Sequence, residues 1–163
     1  MAITSTNVEQ QTAVPFVDLQ SQHRALAGEI RQAVDEVLTD CNFILGRQVR
    51  EFEQSFASYI GVAHAIGVSN GLDALRIALA ALDIGPGDEV IVPANTYIAT
   101  ALAVSALGAR VVLVDCDAST YNLDPGKLER AITSRTRVVI PVHLTGQPAN
   151  MAPIIEIAEQ FVT

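Results

Sequence analysis

Beyond Gly61 the chain alternates short β-branched runs with helical stripes, and few folds accept that alternation. The runs are His64–Val68, Glu89–Val92, Arg110–Val114 and Arg137–Leu144. Between them, Leu72, Leu75, Leu79 and Leu82 make one helical stripe and Thr96–Leu107 reads as an Ala-rich helix. Asp124-Pro125 opens another, as N-cap and first-turn proline, running to about Ile132. Met151–Phe161 is a last helix, with Asn150 as its cap. Gly85-Pro86-Gly87-Asp88 is a turn. Strands separated by helices of about ten residues predict βαβ units and a mainly parallel sheet, an α/β fold. The runs are almost continuously apolar, which predicts a sheet covered on both faces. In such a series a further strand is expected after the last helix.

Ahead of Gly61 the rhythm is purely helical. Leu26, Ile30, Val34, Val37 and Leu38 recur at helical spacing, as do Val49, Phe52, Phe56 and Tyr59, with Gly61 closing the second helix and Asn42–Gly46 turning between them. Met1–Val14 is polar, rich in Thr, Gln and Ser, and is expected to be a flexible tail. It lacks a basic region followed by an apolar run and so does not read as a signal peptide, which makes the expected location cytoplasmic. The longest apolar stretch, around Ile98–Ala109, is broken by Thr100, Ser105 and Gly108 and is too short to span a membrane. Eighteen acidic against ten basic residues give a formal charge of -8, which disfavours nucleic acid or an anionic membrane as partner. Only one of the ten is a lysine, Lys127. Cys41 and Cys116 stand far apart without a CxxC and read as reduced packing residues.

In a doubly wound sheet, ligands sit beyond the carboxyl ends of the strands. Four segments qualify: Ser69–Asp73, Ala94–Thr100, Asp115–Asn122 and His143–Gln147. Ser69-Asn70-Gly71 joins a strand to a helix whose first N–H groups and dipole suit a phosphate; the same residues also serve a plain strand-to-helix turn. Neither G-x-G-x-x-G nor G-x-x-x-x-G-K-[ST] occurs, so a dinucleotide-binding domain is disfavoured. Tyr97 follows a strand end, where an aromatic either stacks on a flat ligand or packs sideways. Asp73 complements a helix dipole. Asp115 and Asp117, flanking Cys116, suit turn capping better than a metal, and no metal site is assigned. His23, His64 and His143 lie in separate elements without partner spacing, and no Ser-His-Asp order or H-E-x-x-H is present.

These segments in their order resemble the DegT/DnrJ/StrS group of pyridoxal-phosphate-dependent sugar aminotransferases, within the aspartate aminotransferase fold (fold type I). The resemblance is carried by VPFVDLQSQHR, FILGRQVREFEQSFASYIGV, GVSNGLDALRIALAALDIGPGDEVIVPANTYIATALAV, VDCDASTYNLDP and VVIPVHLTGQPANM, from about Val14 to Thr163. It implies the N-terminal part of a large domain: a helical segment over 15–60, then an incomplete large domain over 61–163. It implies cofactor contacts for Asn70, Gly71, Leu72 and Tyr97, the turn holding the phosphate through backbone N–H groups and Tyr97 stacking on the pyridine ring. Leu72 stands where many members have a threonine hydroxyl. Asp18 is implied to lie near the active-site mouth as a substrate-binding residue. His23 and Thr145 stand where tyrosine is common.

The chemistry implied is a ping-pong amino transfer from a donor, usually glutamate, to the keto group of a nucleotide-linked sugar, in a homodimer. SNGLDAL and ANTYIAT lean toward a 3-keto-6-deoxy sugar. Two residues that this chemistry needs, the Schiff-base lysine and the aspartate pairing with the pyridine nitrogen, match no position here, and no catalytic residue is assigned. Lys127 reads as a solvated surface lysine. The chain therefore resembles the first portion of an enzyme more than twice as long. It is expected to be catalytically incomplete, to bind pyridoxal phosphate weakly or not at all, and to associate through an unfinished sheet. Two alternatives share these motifs: a non-catalytic remnant that associates with a full-length paralogue, and a fragment of a pyridoxal-phosphate-dependent sugar dehydratase in which histidine replaces the lysine.

Overall fold

A computed structural model describes residues 14–161. The tail expected over residues 1–14 lies, except for Val14, outside the described residues. The chain divides into two compact units between Ile66 and Gly67.

The first unit is built on two helices. Helix α1 spans Leu19–Asp40 and starts well before Leu26, because Asp18 caps it, accepting from the Ser21 N–H at 3.0 Å. The polar residues between the cap and Leu26 have good helical propensity but no apolar period to betray them. Helix α1 ends at Cys41, in the left-handed region at φ 50°. Helix α2 spans Arg47–Ile60 and ends at Gly61, whose φ of 80° suits glycine and whose N–H reaches the Ala57 carbonyl at 2.9 Å. Arg47 pairs with Glu36 of α1 at 3.3 Å and with Glu51 at 3.1 Å. Phe52 and Phe56 stack at 5.6 Å between ring centroids. Leu26, Ile30, Val34 and Leu38 recur every fourth residue along α1 and all stay about half exposed.

The second unit holds helix α3 (Gly71–Ala81), strand β1 (Glu89–Pro93), helix α4 (Ala99–Ser105), strand β2 (Arg110–Val114), helix α5 (Pro125–Ala131), strand β3 (Thr136–Val139), a 3-10 turn at Leu144–Gly146 and helix α6 (Met151–Phe161). The sheet has the order β2-β1-β3 and both pairs are parallel. Strand β1 lies between the other two and is buried along its whole length. Its side chains alternate between faces, as a strand requires. Val90 and Val92 join Leu79, Ile84, Ala103, Val104 and Ala109 in one core, with Leu72 and Leu75 packed against it. Ile91 joins Val114, Leu123, Leu128, Ala149 and Ile154 in the other. Both faces are covered, α3 and α4 on one, α5 and α6 on the other.

Three expectations are corrected. His64–Val68 is not a strand: a strand is held by its ladder, and among the described residues none pairs with that segment. The Ala-rich helix is shorter than Thr96–Leu107, because Ala94–Ile98 is spent on the turn that leaves β1. The last strand stops at Val139 rather than Leu144. The Ile140 N–H still reaches the Ile91 carbonyl at 2.9 Å, but Pro141 has no N–H to extend the ladder.

At the amino end of the sheet sits Glu89, 2% exposed. Its carboxylate accepts from Thr133 Oγ1 at 2.6 Å, from Arg135 Nη2 at 2.7 Å and Nε at 3.0 Å, and from Arg110 Nη1 at 3.4 Å. One buried acid thus ties the start of β1 to β2 and to the segment leading into β3. The β1–β3 register shifts between Glu89 and Val90.

Candidate functional site

Topology alone marks a crevice. After β1 the chain leaves to α4, on the face of Val90 and Val92; after β3 it leaves to α6, on the face of Ile91. Neighbouring strands whose connections part to opposite faces open a cleft beyond their carboxyl ends. The crevice therefore lies between the loop after β1, which carries Tyr97, and the loop after β3, which carries His143–Pro148. Helix α3 delivers the chain to the amino end of β1, so its own start points to the carboxyl-end side.

At that start Asn70 is the N-cap. Its Oδ1 accepts from the Asp73 N–H at 2.9 Å, and its carbonyl takes the Ala74 N–H at 3.0 Å. The remaining two first-turn donors, the N–H groups of Gly71 and Leu72, have no acceptor among the described residues. Apart from its chain neighbours and the backbone of its own helix, no atom of the described residues lies within 4 Å of where a Cβ on Gly71 would stand. Two free amides at a positive helix end, with clear space beside them, fit a phosphate. The acid in this turn is paired. Asp73 takes hydrogen bonds from Ser69 Oγ and from Asn70 Nδ2 (3.1 Å), and pairs with Arg76 Nη2 at 2.9 Å. These donors, Ser69 first, hold its carboxyl below the ordinary range.

The four expected cofactor residues thus divide by kind. Asn70 spends its side chain on the cap, and Leu72 packs its side chain against the core. Gly71 and Leu72 offer backbone donors, and Tyr97 offers a ring that is 78% exposed. Asp18 belongs to the first unit, where both carboxylate oxygens take hydrogen bonds from Ser21.

The remaining candidates have local duties. Asp117 accepts from the N–H groups of Ser119 (3.0 Å) and Thr120 (2.9 Å) and from both hydroxyls, and these donors, Ser119 first, hold its carboxyl down to about 2. His143 accepts the Ala149 N–H on Nδ1 at 2.9 Å. Lys127 is not a freely solvated lysine. Its Nζ donates to Asp115 Oδ2 at 3.1 Å and to the Cys116 carbonyl at 2.9 Å, with Asp124 at 3.6 Å, because the first turn of α5 lies over the end of β2. Asp115 is the main cause that raises its pKa. An ammonium committed in this way does not fit the covalent anchor of an aldehyde cofactor.

Two residues within the segments marked above, to which the sequence reading gave no role, emerge at the loops beyond the strands. Asn95 Nδ2 donates to the Tyr121 carbonyl at 2.8 Å. Asn122, 3% exposed, donates through Nδ2 to the carbonyls of Gln147 (3.1 Å) and Pro148 (3.3 Å) and accepts the Leu144 N–H at 3.0 Å. The hint in the sequence is their type and place: asparagine in a loop beyond a strand is a frequent loop fastener.

The chain is similar to known aminotransferases. Residues 24–161 match the DegT/DnrJ/EryC1/StrS aminotransferase family. The dTDP-3-amino-3,6-dideoxy-alpha-D-galactopyranose transaminase of Aneurinibacillus thermoaerophilus is 52% identical over 148 residues, 91% of this chain and 41% of that one. The crystal structure of S. venezuelae DesV superposes with a TM-score of 0.87 at 48% identity, covering 90% of this chain and 40% of that chain. NtdA of Bacillus subtilis, solved with bound PMP, gives 0.88 at 36% identity, covering 96% and 36%. The chain spans about two-fifths of the length of these relatives and matches their N-terminal portion. With the free amides at the start of α3 and the exposed ring after β1, the matches leave one placement: the chain belongs to the DegT/DnrJ/EryC1/StrS aminotransferase family.

Proposed function

We propose that this chain provides the phosphate seat and the ring-facing wall of a pyridoxal-phosphate-dependent aminotransferase acting on a nucleotide-linked keto-deoxysugar, with glutamate as amino donor. The observation that carries it is the pair of unclaimed amides at Gly71 and Leu72, on the carboxyl-end side of the sheet where Tyr97 stands exposed. Gly71 and Leu72 bind the phosphate with help from the helix dipole. Tyr97 orients the ring by stacking. Arg76, by holding Asp73, keeps a free carboxylate away from the anion. When bound, the cofactor supplies the electron sink through which an amino group passes from donor to acceptor. Asp18 is the proposed substrate-side residue, and residues 15–60 and 61–163 the helical and large-domain portions.

No residue of the chain is assigned the proton transfers, since Lys127 is held by two carboxylates and a carbonyl. The 163 residues alone are therefore catalytically incomplete. The half-exposed apolar row of α1 supports the companion proposal that the complete enzyme is a homodimer. Among the described residues no helix is long and apolar enough to cross a membrane, which supports a cytoplasmic location.

The test incubates the pure chain with pyridoxal phosphate, glutamate and a dTDP-linked 3-keto-6-deoxy sugar. No amino sugar should form. Borohydride reduction followed by mass spectrometry should find no stoichiometric cofactor adduct on Lys127. Ketosugar-dependent loss of the glutamate amine would overturn the proposal of incompleteness.

A further inference from the structure

Three loops leave the carboxyl ends of β1, β2 and β3, and two asparagines fasten them in series. Asn95, two residues before Tyr97, reaches across to the Tyr121 carbonyl. Tyr121 has a φ of 58°, which side chains rarely adopt, and its N–H is held by the Asp117 carbonyl at 2.9 Å. The next residue, Asn122, spends its whole carboxamide on the loop after β3. Its own carbonyl accepts the Asp117 N–H at 2.9 Å, so the middle loop is closed on itself.

The loop that Asn122 holds has only a few bonds of its own. Thr145 lies at φ 56° and Gly146 at φ 81°, two left-handed residues in succession, and a β-branched residue resists that region. Regular ladder bonding has ended before Pro141. Besides the bonds of its own short turn and the packing of Ala149 in the core, the hydrogen bonds that hold this loop among the described residues are those of the Asn122 carboxamide and the His143–Ala149 bond. A buried amide whose donors and acceptor are all used is a rigid joint, and losing it leaves backbone groups unpaired.

We propose that Asn95 and Asn122 act as one splint across the crevice, and that Asn122 is a positioning residue. The splint sets the stacking residue Tyr97 and the Leu144–Pro148 loop at a fixed separation, so that a flat heteroaromatic phosphate is gripped at its ring as well as at its phosphate. This rests on the reading of Gly71, Leu72 and Tyr97 given above. Asn122 touches neither ring nor phosphate; it acts through the two loops.

Hydrogen exchange read by mass spectrometry on the full chain tests this, with pyridoxamine 5′-phosphate and inorganic phosphate as probes. In the parent chain, pyridoxamine phosphate should slow exchange in peptides covering 70–75 and 96–102, and inorganic phosphate only in 70–75. In Asn122→Asp the phosphate response should persist, the protection of 96–102 should vanish, and half-saturation by pyridoxamine phosphate should rise about tenfold. Should that variant fail to fold, Asn95→Ala breaks the splint at its exposed end and should give the same loss at 96–102. If 143–149 exchanges faster in either variant while the pyridoxamine phosphate response is unchanged, the loops are fastened but the site is not, and the splint is refuted. A parent chain in which neither probe protects 70–75 would overturn the phosphate seat and, with it, this proposal.

Discussion

Glu89 shows how one residue can hold three segments. Its carboxylate is out of water and satisfied by Thr133, Arg135 and Arg110, and those partners, Thr133 first, hold its pKa below the ordinary glutamate value. A group lowered in the folded state stabilises it in full above its unfolded value. That contribution is lost as pH falls through the folded one. Melting temperature should therefore be flat from neutrality down to the ordinary glutamate range and drop below it. Glu89→Gln should lower the neutral-pH melting temperature by roughly 5 °C and flatten the acid limb, as thermal melts across pH would show. A variant whose acid limb matched the parent would assign the limb to the other lowered carboxylates, Asp18, Asp73, Asp115 and Asp117. At the same scale, Leu72 is instructive. Its side chain packs against the core, as its stripe position predicts, while its backbone N–H, for which phosphate binding is proposed, has no acceptor among the described residues.

Among the elements, α2, α3, β1, β2, α5 and α6 were legible because each is written in local terms: a period, a cap, a β-branched run, a proline or glycine at its end. His64–Val68 was not, because strandhood depends on a neighbour that a local pattern does not encode. The site divides the same way. The turn at Ser69–Asp73 has a sequence signature, whereas the Asn95 and Asn122 fastenings span 26 and 25 residues of chain and have none. The turn from α4 into β2 gives a sharper test. Gly108 lies at φ 74°, and a Cβ there would stand 3.2 Å from Pro86 Cγ. Gly108→Ala should cost about 1–2 kcal/mol through backbone strain, plus whatever movement Pro86 requires. Chemical denaturation should show this as a lower midpoint with an unchanged slope.

For the molecule as a whole, the apolar ledger is unbalanced. Leu26, Ile30, Val34 and Leu38 on α1, Phe52, Tyr59 and Ile60 on α2, and Ile77, Leu102 and Leu113 in the second unit all stand well exposed. Exposure on that scale, with β2 and β3 each unpaired on one side among the described residues, favours association. Sedimentation of the isolated chain should show mass rising with protein concentration, and melting should be broad. A sharp monomer with one cooperative transition would contradict this. The order β2-β1-β3 has a further consequence during synthesis. The middle strand leaves the ribosome first, and each later strand is added to one of its sides. Among the three described strands the sheet therefore grows from its centre outward, and β1 gains its cover only as β2 and then β3 are added to its two sides.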